Sequence, residues 1–343
     1  MTKNQLQSDT STLIGVGIDV SKDNLMFCKK YAHGERIIFN VPNKKMEIRN
    51  VVKEIKKEKY EGRIVMESTG RYHLLSALEL NRFNLDARVI NPLLASKYFK
   101  SSIRKVKTDK KDAEVLADMA EKEEKLPHSF NNDKNTLKLK KKVSLVASLD
   151  KELQKMTASM NEFKRTSDDL GLKLSVVEKQ IFKTIKTLKE NKKKLEKEIE
   201  LLMKKSEHKQ EVIDRYASIP GVSYYIATLA ALSFKEGEYD QNAKQWIAFA
   251  GMDISIRESG NWRGKGKMTK RGNGYLRKKL FQAAWGSTMH NNQFKAYYEH
   301  LRANNKSYVE ALTIIARKLV IIMFALSKNE CFYDSSKKLF SVN

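Results

Sequence analysis

The segment Leu13–Val20, LIGVGIDV, is apolar almost throughout, so it reads as a strand buried within a sheet. Everything downstream has to be compatible with that strand. Two further strand candidates follow at once, NLMFCKKYA and ERIIFNVP, separated by the turn-like pair His33-Gly34. After them come a polar helix near Lys44 to Glu58, the strand RIVMES, a helix from Arg71 to Phe83, the strand DARVINP and a helix from Leu93. Three strands in a meander, then alternating helix and strand, form the pattern over residues 13–130.

That order matches an RNase H-like fold, in which an antiparallel hairpin extends a sheet continued by parallel crossover units. In such a sheet the first and fourth strands are neighbours. Asp19 ends the first in GIDVSK and Glu67 ends the fourth in VMESTGRYH, so the fold brings them side by side. Asp19 is flanked by hydrophobic residues, where a lone charge is costly unless it is paired or bound to a metal. Farther on, KTDKKDAEVLADMA places Asp109 and Asp112 on one face at the start of a helix. Acids in a first turn also suit the helix dipole, and each of the four taken alone has an ordinary structural explanation. Four carboxylates converging on one point would repel one another, and a pair of divalent cations is the usual remedy. Oxygen donors in octahedral surroundings suit Mg²⁺, or Mn²⁺, over zinc.

Charge limits the partners. The 343 residues hold 66 Lys+Arg against 41 Asp+Glu, a formal net charge of +25, which points to a polyanion. No run approaches the apolar length of a membrane span, since Ile314 to Leu326 is short and contains Arg317 and Lys318. Residues 1–12 form a polar tail unlike a signal peptide. Cys28 and Cys331 are too few for a disulfide framework or a zinc site, so a cytosolic location is expected.

From about 134 to 215 the chain turns rich in Lys, Glu, Leu and Met. Val146, Leu149, Leu153, Met156, Met160 and Phe163 make one heptad seam, and Ile181, Ile185, Leu188, Leu195, Ile199 and Leu202 a second. Two long helices around the turn TSDDLG follow, either as a hairpin or as strands of an intermolecular coiled coil. Residues 216–335 read as a mainly helical domain. Its opening, SIPGVSYYIATLAALS, resembles a helix-hairpin-helix that presents backbone N–H groups to phosphate, or equally a tight turn between packed helices. The overall class is therefore α/β plus α.

Arg257 to Lys279, RESGNWRGKGKMTKRGNGYLRKK, holds nine Lys or Arg, one acid and five glycines. Candidate phosphate contacts are Arg257, Arg263, Lys265, Lys267, Lys270, Arg271, Arg277 and Lys278, with Trp262 and Tyr275 available for stacking. Ser259 heads the segment, with no histidine near it to activate its hydroxyl. On chemistry alone it is an ordinary loop serine.

GIDVSK, MESTGRYH, KTDKKDAEVLA, IPGV and AGMDISIRESGNWRGKGKMTKRGNGYLRK, in this order, resemble the transposases of the insertion-sequence-110 family over residues 13–330. The resemblance implies a RuvC-like domain of RNase H fold, a coiled-coil linker and a carboxy-terminal transposase domain. It places the family's Asp, Glu, Asp, Asp motif on Asp19, Glu67, Asp109 and Asp112. Its nucleophilic serine falls on Ser259, with Ser255 as the nearby competitor. It further implies Mg²⁺, donor and target DNA, a structured guide called the bridge RNA, and a homo-oligomer, dimer or tetramer, joined through the coiled coil. The expected reaction is strand cleavage and joining through a phosphoserine-DNA link. The rival expectations are a metal-dependent nuclease or junction resolvase that uses water, and a non-catalytic nucleic-acid-binding protein.

Overall fold

The computed structural model describes residues 12–68, 70–100, 108–124, 126–127, 129–130, 134–204, 207–234, 242–255, 258–259, 262–263 and 266–337. Nearly all of the expected polar tail, and the contacts expected from Arg257 and Lys265, lie outside these residues. The chain divides into two compact units, residues 1–134 and 135–343.

In the first unit, β1 (Leu13–Val20), β2 (Asn24–Tyr31) and β3 (Arg36–Pro42) form the meander. Then come α1 (Lys45–Lys57), β4 (Tyr60–Glu67), α2 (Leu74–Arg82), β5 (Ala87–Ile90), α3 (Pro92–Lys100) and α4 (Asp109–Lys122). The sheet order is β3-β2-β1-β4-β5, with β1 antiparallel to β2 and parallel to β4. This mixed sheet is consistent with the RNase H-like expectation, and β1 and β4 are neighbours as expected.

Alternation along β1 sends Val16 and Ile18 to one face and Gly15, Gly17 and Asp19 to the other. The glycine face receives α4. A Cβ at Gly17 would lie 2.0 Å from the Ala113 carbonyl oxygen and 2.4 Å from the Ala117 nitrogen, and one at Gly15 would lie 2.8 Å from the Ala117 oxygen. Glycines here are therefore a requirement of close approach between backbones. On the helix side the matching residues are Ala113, Ala117 and Ala120, all buried. Val65 of β4 packs on the same helix with Leu116, Met119 and Ala120.

Polar contacts fix the helix along its length. Lys30 meets Asp118 and Glu121 at 2.5 Å each, and Arg36 meets Asp118 at 2.8 Å. Arg63 of β4 donates to the carbonyls of Ala120 at 2.9 Å and Glu123 at 2.7 Å, which satisfies acceptors left open at the carboxy end of α4.

The second unit begins with α5 (Lys134–Asp169) and α6 (Val176–Lys204). Lys142 pairs with Glu198 and Lys192 with Asp150, both at 2.6 Å, so the residue numbers fall on one helix as they rise on the other: an antiparallel hairpin. The base of the hairpin shares its core with the later helices through Leu139, Val146, Ile199 and Met203. The seam opens toward the tip, where Met156, Phe163 and Ile181 are each at least 40% exposed and Val176 is 83% exposed.

Next are α7 (Glu207–Ala217), α8 (Tyr224–Ser233) and α9 (Ala243–Phe249). A basic ribbon follows, made of β6 (Ile254–Ser255), β7 (Glu258–Ser259), β8 (Trp262–Arg263) and β9 (Lys267–Met268), before α10 (Gly274–His290), α11 (Asn292–Ala303) and α12 (Tyr308–Lys328). The apolar stretch near the carboxy end is core: Ile315, Leu319, Val320 and Met323 of α12 are fully buried. Among the described residues no helix is long and apolar enough to cross a membrane.

The Pro220-Gly221 turn is packed against α10. Gly221 has φ of +84°, its Cβ would lie 2.1 Å from the Ser287 nitrogen, and Ser287 Oγ donates to the Pro220 carbonyl at 2.7 Å. SIPGVSYY thus forms a tight turn packed between helices.

Asp150 lies buried where α5, α6 and α10 meet, paired with Lys192 and Lys278. Burial alone would raise its pKa, but hydrogen bonds from these two lysines, with Lys279 nearby, outweigh it and hold the carboxyl below its ordinary 3.8.

Two outcomes follow. Gly17→Ala should cost about 3 kcal/mol or more in urea unfolding, because backbone rather than a mobile side chain stands in the way. Asp150→Asn should cost about 2 kcal/mol at pH 7 by leaving the part-buried Lys192 and Lys278, and the buried Lys279 beside them, without the carboxylate. A depressed carboxylate stabilises above its unfolded pKa, so the gap between wild type and Asp150→Asn should be full at pH 7 and shrink as pH falls below 3.8.

Candidate active site

The approach of α4 to β1 decides which side chains meet. Residues 113 and 117 lie over Gly17, and 117 and 120 over Gly15, so the helix runs antiparallel to the strand. Continuing that alignment toward the end of β1 carries Asp109 and Asp112 toward Asp19. Thr108 caps the helix there, accepting from the Lys111 N–H at 3.3 Å. In the β1–β4 ladder Ile18 stands opposite Met66, so Asp19 and Glu67 are the next residues of adjacent parallel strands. Glu67 follows Val65 by two positions and so faces α4 as well.

Electrostatics agrees with this placement. The Asp19 carboxyl is pushed up to about 6, first by burial and then by the charges of Asp109, Asp112 and Glu67, against a backbone hydrogen bond at Val20. A buried acid elsewhere in the same unit is treated differently. Glu79, 1% exposed, is held between Arg49 at 3.1 Å and Arg82. Among the described residues, the charges that shift Asp19 most are acidic.

Hard oxygen donors that crowd one another fit a divalent cation by chemistry. Among the described residues, no group of three His, Cys, Asp or Glu side chains stands at the spacing of a metal site. The four acids thus share a field without a closed coordination shell.

Among the described residues, the basic segment holds two short antiparallel strand pairs. Ile254 and Ser255 pair with Met268 and Lys267, and Glu258 and Ser259 pair with Arg263 and Trp262. Ser259 is therefore near the tip and Ser255 lower on the ribbon, with its side chain exposed. The ribbon's base is fixed by Gly251 and Gly272. A Cβ on Gly272 would lie 2.1 Å from the Phe249 carbonyl oxygen, and Gly251 has φ of +68°. Asn273 adds a backbone hydrogen bond to Phe249 at 2.8 Å and caps α10 through its side chain.

The expected phosphate contacts separate into groups. Lys267, Lys270 and Arg271 are exposed. The backbone of Arg263 belongs to the ribbon. Lys278 is bound to Asp150, and Arg277 donates to the Ala250 carbonyl at 3.3 Å, so both heads are engaged inside the unit. Tyr275 is similarly committed, 3.3 Å from the Tyr225 hydroxyl and with Lys279 over its ring. Sequence reasoning missed these architectural roles and the glycines of β1, although GVG inside a buried strand is a readable sign of close approach.

Asp19→Asn should stabilise the metal-free protein at pH 7.5. It keeps the shape while removing a charge that is both half-buried and repelled; after allowance for solvent screening the gain should be on the order of 1 kcal/mol in urea unfolding with EDTA present. Equal or lower stability would mean that the four acids do not repel in solution.

Residues 16–164 match the DEDD transposase model of the IS110 family, and residues 214–299 match a second model described as Transposase IS116/IS110/IS902 family. An uncharacterised 43.6 kDa protein of insertion element IS110 from Streptomyces coelicolor is 25% identical over 118 residues, which cover 34% of this chain and 29% of that protein. The first family model contains all four acids in a unit whose sheet and helix bring them to one end, and the second contains the basic ribbon. On these matches the chain belongs to the IS110 family of transposases.

Proposed function

We propose that this chain is a DNA transposase or recombinase that cuts and rejoins strands through a phosphoserine-DNA link, with Mg²⁺, or Mn²⁺ in its place, at the carboxylate cluster. The observation that carries the reading is the setting of Asp19, a half-buried acid whose charged neighbours are three further acids. Such an arrangement is unfavourable for a resting fold and useful for holding a cation.

Asp19, Glu67, Asp109 and Asp112 would be the oxygen donors. A divalent cation held there supplies charge neutralisation at a DNA phosphate and makes a nearby hydroxyl more acidic. Ser259 gives up its proton and its Oγ forms a bond to phosphorus. The bond from phosphorus to the 3′ oxygen breaks, and that oxygen leaves with a proton as a free hydroxyl. One phosphodiester replaces another, so the reverse attack by a new 3′-hydroxyl reseals DNA without ATP. Lys267, Lys270 and Arg271 hold the backbone by charge, joined by Arg257, Arg263 and Lys265.

The strongly basic composition, without a familiar base-reading motif, supports guidance by the bridge RNA. Pairing then reads sequence while protein contacts backbone. Exposed apolar residues at the hairpin tip support assembly of copies there, as a dimer or tetramer. In this reading, a serine from one copy completes the carboxylate site of another. Such a protein works in the cytosol on the nucleoid.

The test incubates protein and element-derived RNA with labelled donor and target DNA in Mg²⁺, then seeks adducts that survive denaturation. Wild type and Ser255→Ala should form them; Ser259→Ala and Asp19→Ala should not. Cleavage without an adduct that survives Ser259→Ala but not Asp19→Ala would make water the nucleophile and overturn the serine assignment.

A further inference from the structure

We propose that Asn43 is a positioning residue: its side-chain amide ties the loop after β1 to the loop after β4, and so sets the spacing of the carboxylates that those strands carry. The inference rests on the metal-dependent reading above.

Asn43 lies just beyond β3, on a third stretch of chain. Its Nδ2 donates to the Ser21 carbonyl at 3.1 Å and to the Tyr72 carbonyl at 3.1 Å. Its backbone N–H donates to the Asp23 carbonyl at 2.8 Å. Ser21 is two residues past Asp19, and Tyr72 is five past Glu67. One amide thus spans the ends of the two strands on which these acids sit.

The orientation of the amide is determined by its partners. Turned over, it would set Oδ1 against two carbonyl oxygens, acceptor against acceptor. In the orientation seen, Oδ1 is buried and has no hydrogen-bond partner among the described residues. What the amide contributes among the described residues is therefore the pair of hydrogen bonds that its N–H groups donate.

A clamp is needed at this place. Asp19 and Glu67 sit at adjacent strand ends and carry like charge, which in the absence of a cation favours separation of the loops beyond them. Lysine or arginine there would pull the acids together by neutralising them, and would compete with the cation. An uncharged amide resists separation and leaves the carboxylates' charge intact. Supporting residues of this kind commonly alter metal affinity ~10–100-fold when removed.

The experiment measures Mn²⁺ binding to purified full-length protein by electron paramagnetic resonance, together with hydrogen exchange of residues 20–24 and 70–74 in EDTA. Wild type, Asn43→Ala, Asn43→Ser and Asp19→Ala are compared, the serine variant standing in if alanine prevents folding. Expected are faster exchange in both segments without metal and an Mn²⁺ midpoint about tenfold higher or more in the Asn43 variants, with melting temperature changed little. Unchanged exchange would remove the clamp itself. Faster exchange with an unchanged midpoint, while Asp19→Ala abolishes binding, would leave Asn43 a loop fastener and overturn its positioning role. Should Asp19→Ala bind Mn²⁺ as wild type does, the metal reading falls and the positioning role with it.

Discussion

Contact of backbone with backbone between α4 and β1 is the constraint from which the first unit's arrangement follows. Two glycines on one face of the strand, matched by alanines on the helix, let the helix lie directly on the sheet. Side chains larger than these would hold it off. Because the axis is pinned at Gly15 and Gly17, the amino end of the helix has to pass the end of β1. Asp109 and Asp112 are thereby delivered to Asp19, and the parallel β1–β4 pairing adds Glu67. Ion pairs from Lys30 and Arg36, and the carbonyl contacts of Arg63, stop the helix from sliding along its groove.

The fold handles buried charge in two distinct ways. Glu79 and Asp150 are met by cations and serve to join helices. Asp19 is met by other acids. The first arrangement offsets the cost of burying charge, whereas the second adds like-charge repulsion to it. The two carboxylates therefore differ in the charge of the groups around them.

Much of this was legible in the sequence because it depends on period and order. A buried run, two further strands and then alternating elements limit the sheet to few topologies, and the observed order places β1 beside β4. The carboxylates at the ends of those strands follow from that. Partners were less legible. Lys278 and Arg277 look like phosphate ligands in a basic, glycine-rich run, yet they meet Asp150, more than a hundred positions away, and the Ala250 carbonyl. Residue type states what a side chain can bind and says nothing of what lies opposite. The heptads show the same limit: their period specifies long helices, but whether a seam is covered depends on chain reversal, and here Phe163 and Ile181 are left exposed near the tip. IPGV specifies a tight turn, while the residues that it packs against, Gly286 and Ser287, lie far along the chain.

The most direct measurement is a crystal structure of the protein soaked in Mn²⁺, with the ion located by its anomalous scattering. If the approach of α4 to β1 exists to build a cation site, a peak should appear at roughly 2.0–2.3 Å from carboxylate oxygens of Asp19 and at least two of Glu67, Asp109 and Asp112. A well-ordered end of β1 with no peak there at saturating Mn²⁺, or with the ion held by other residues, would contradict it.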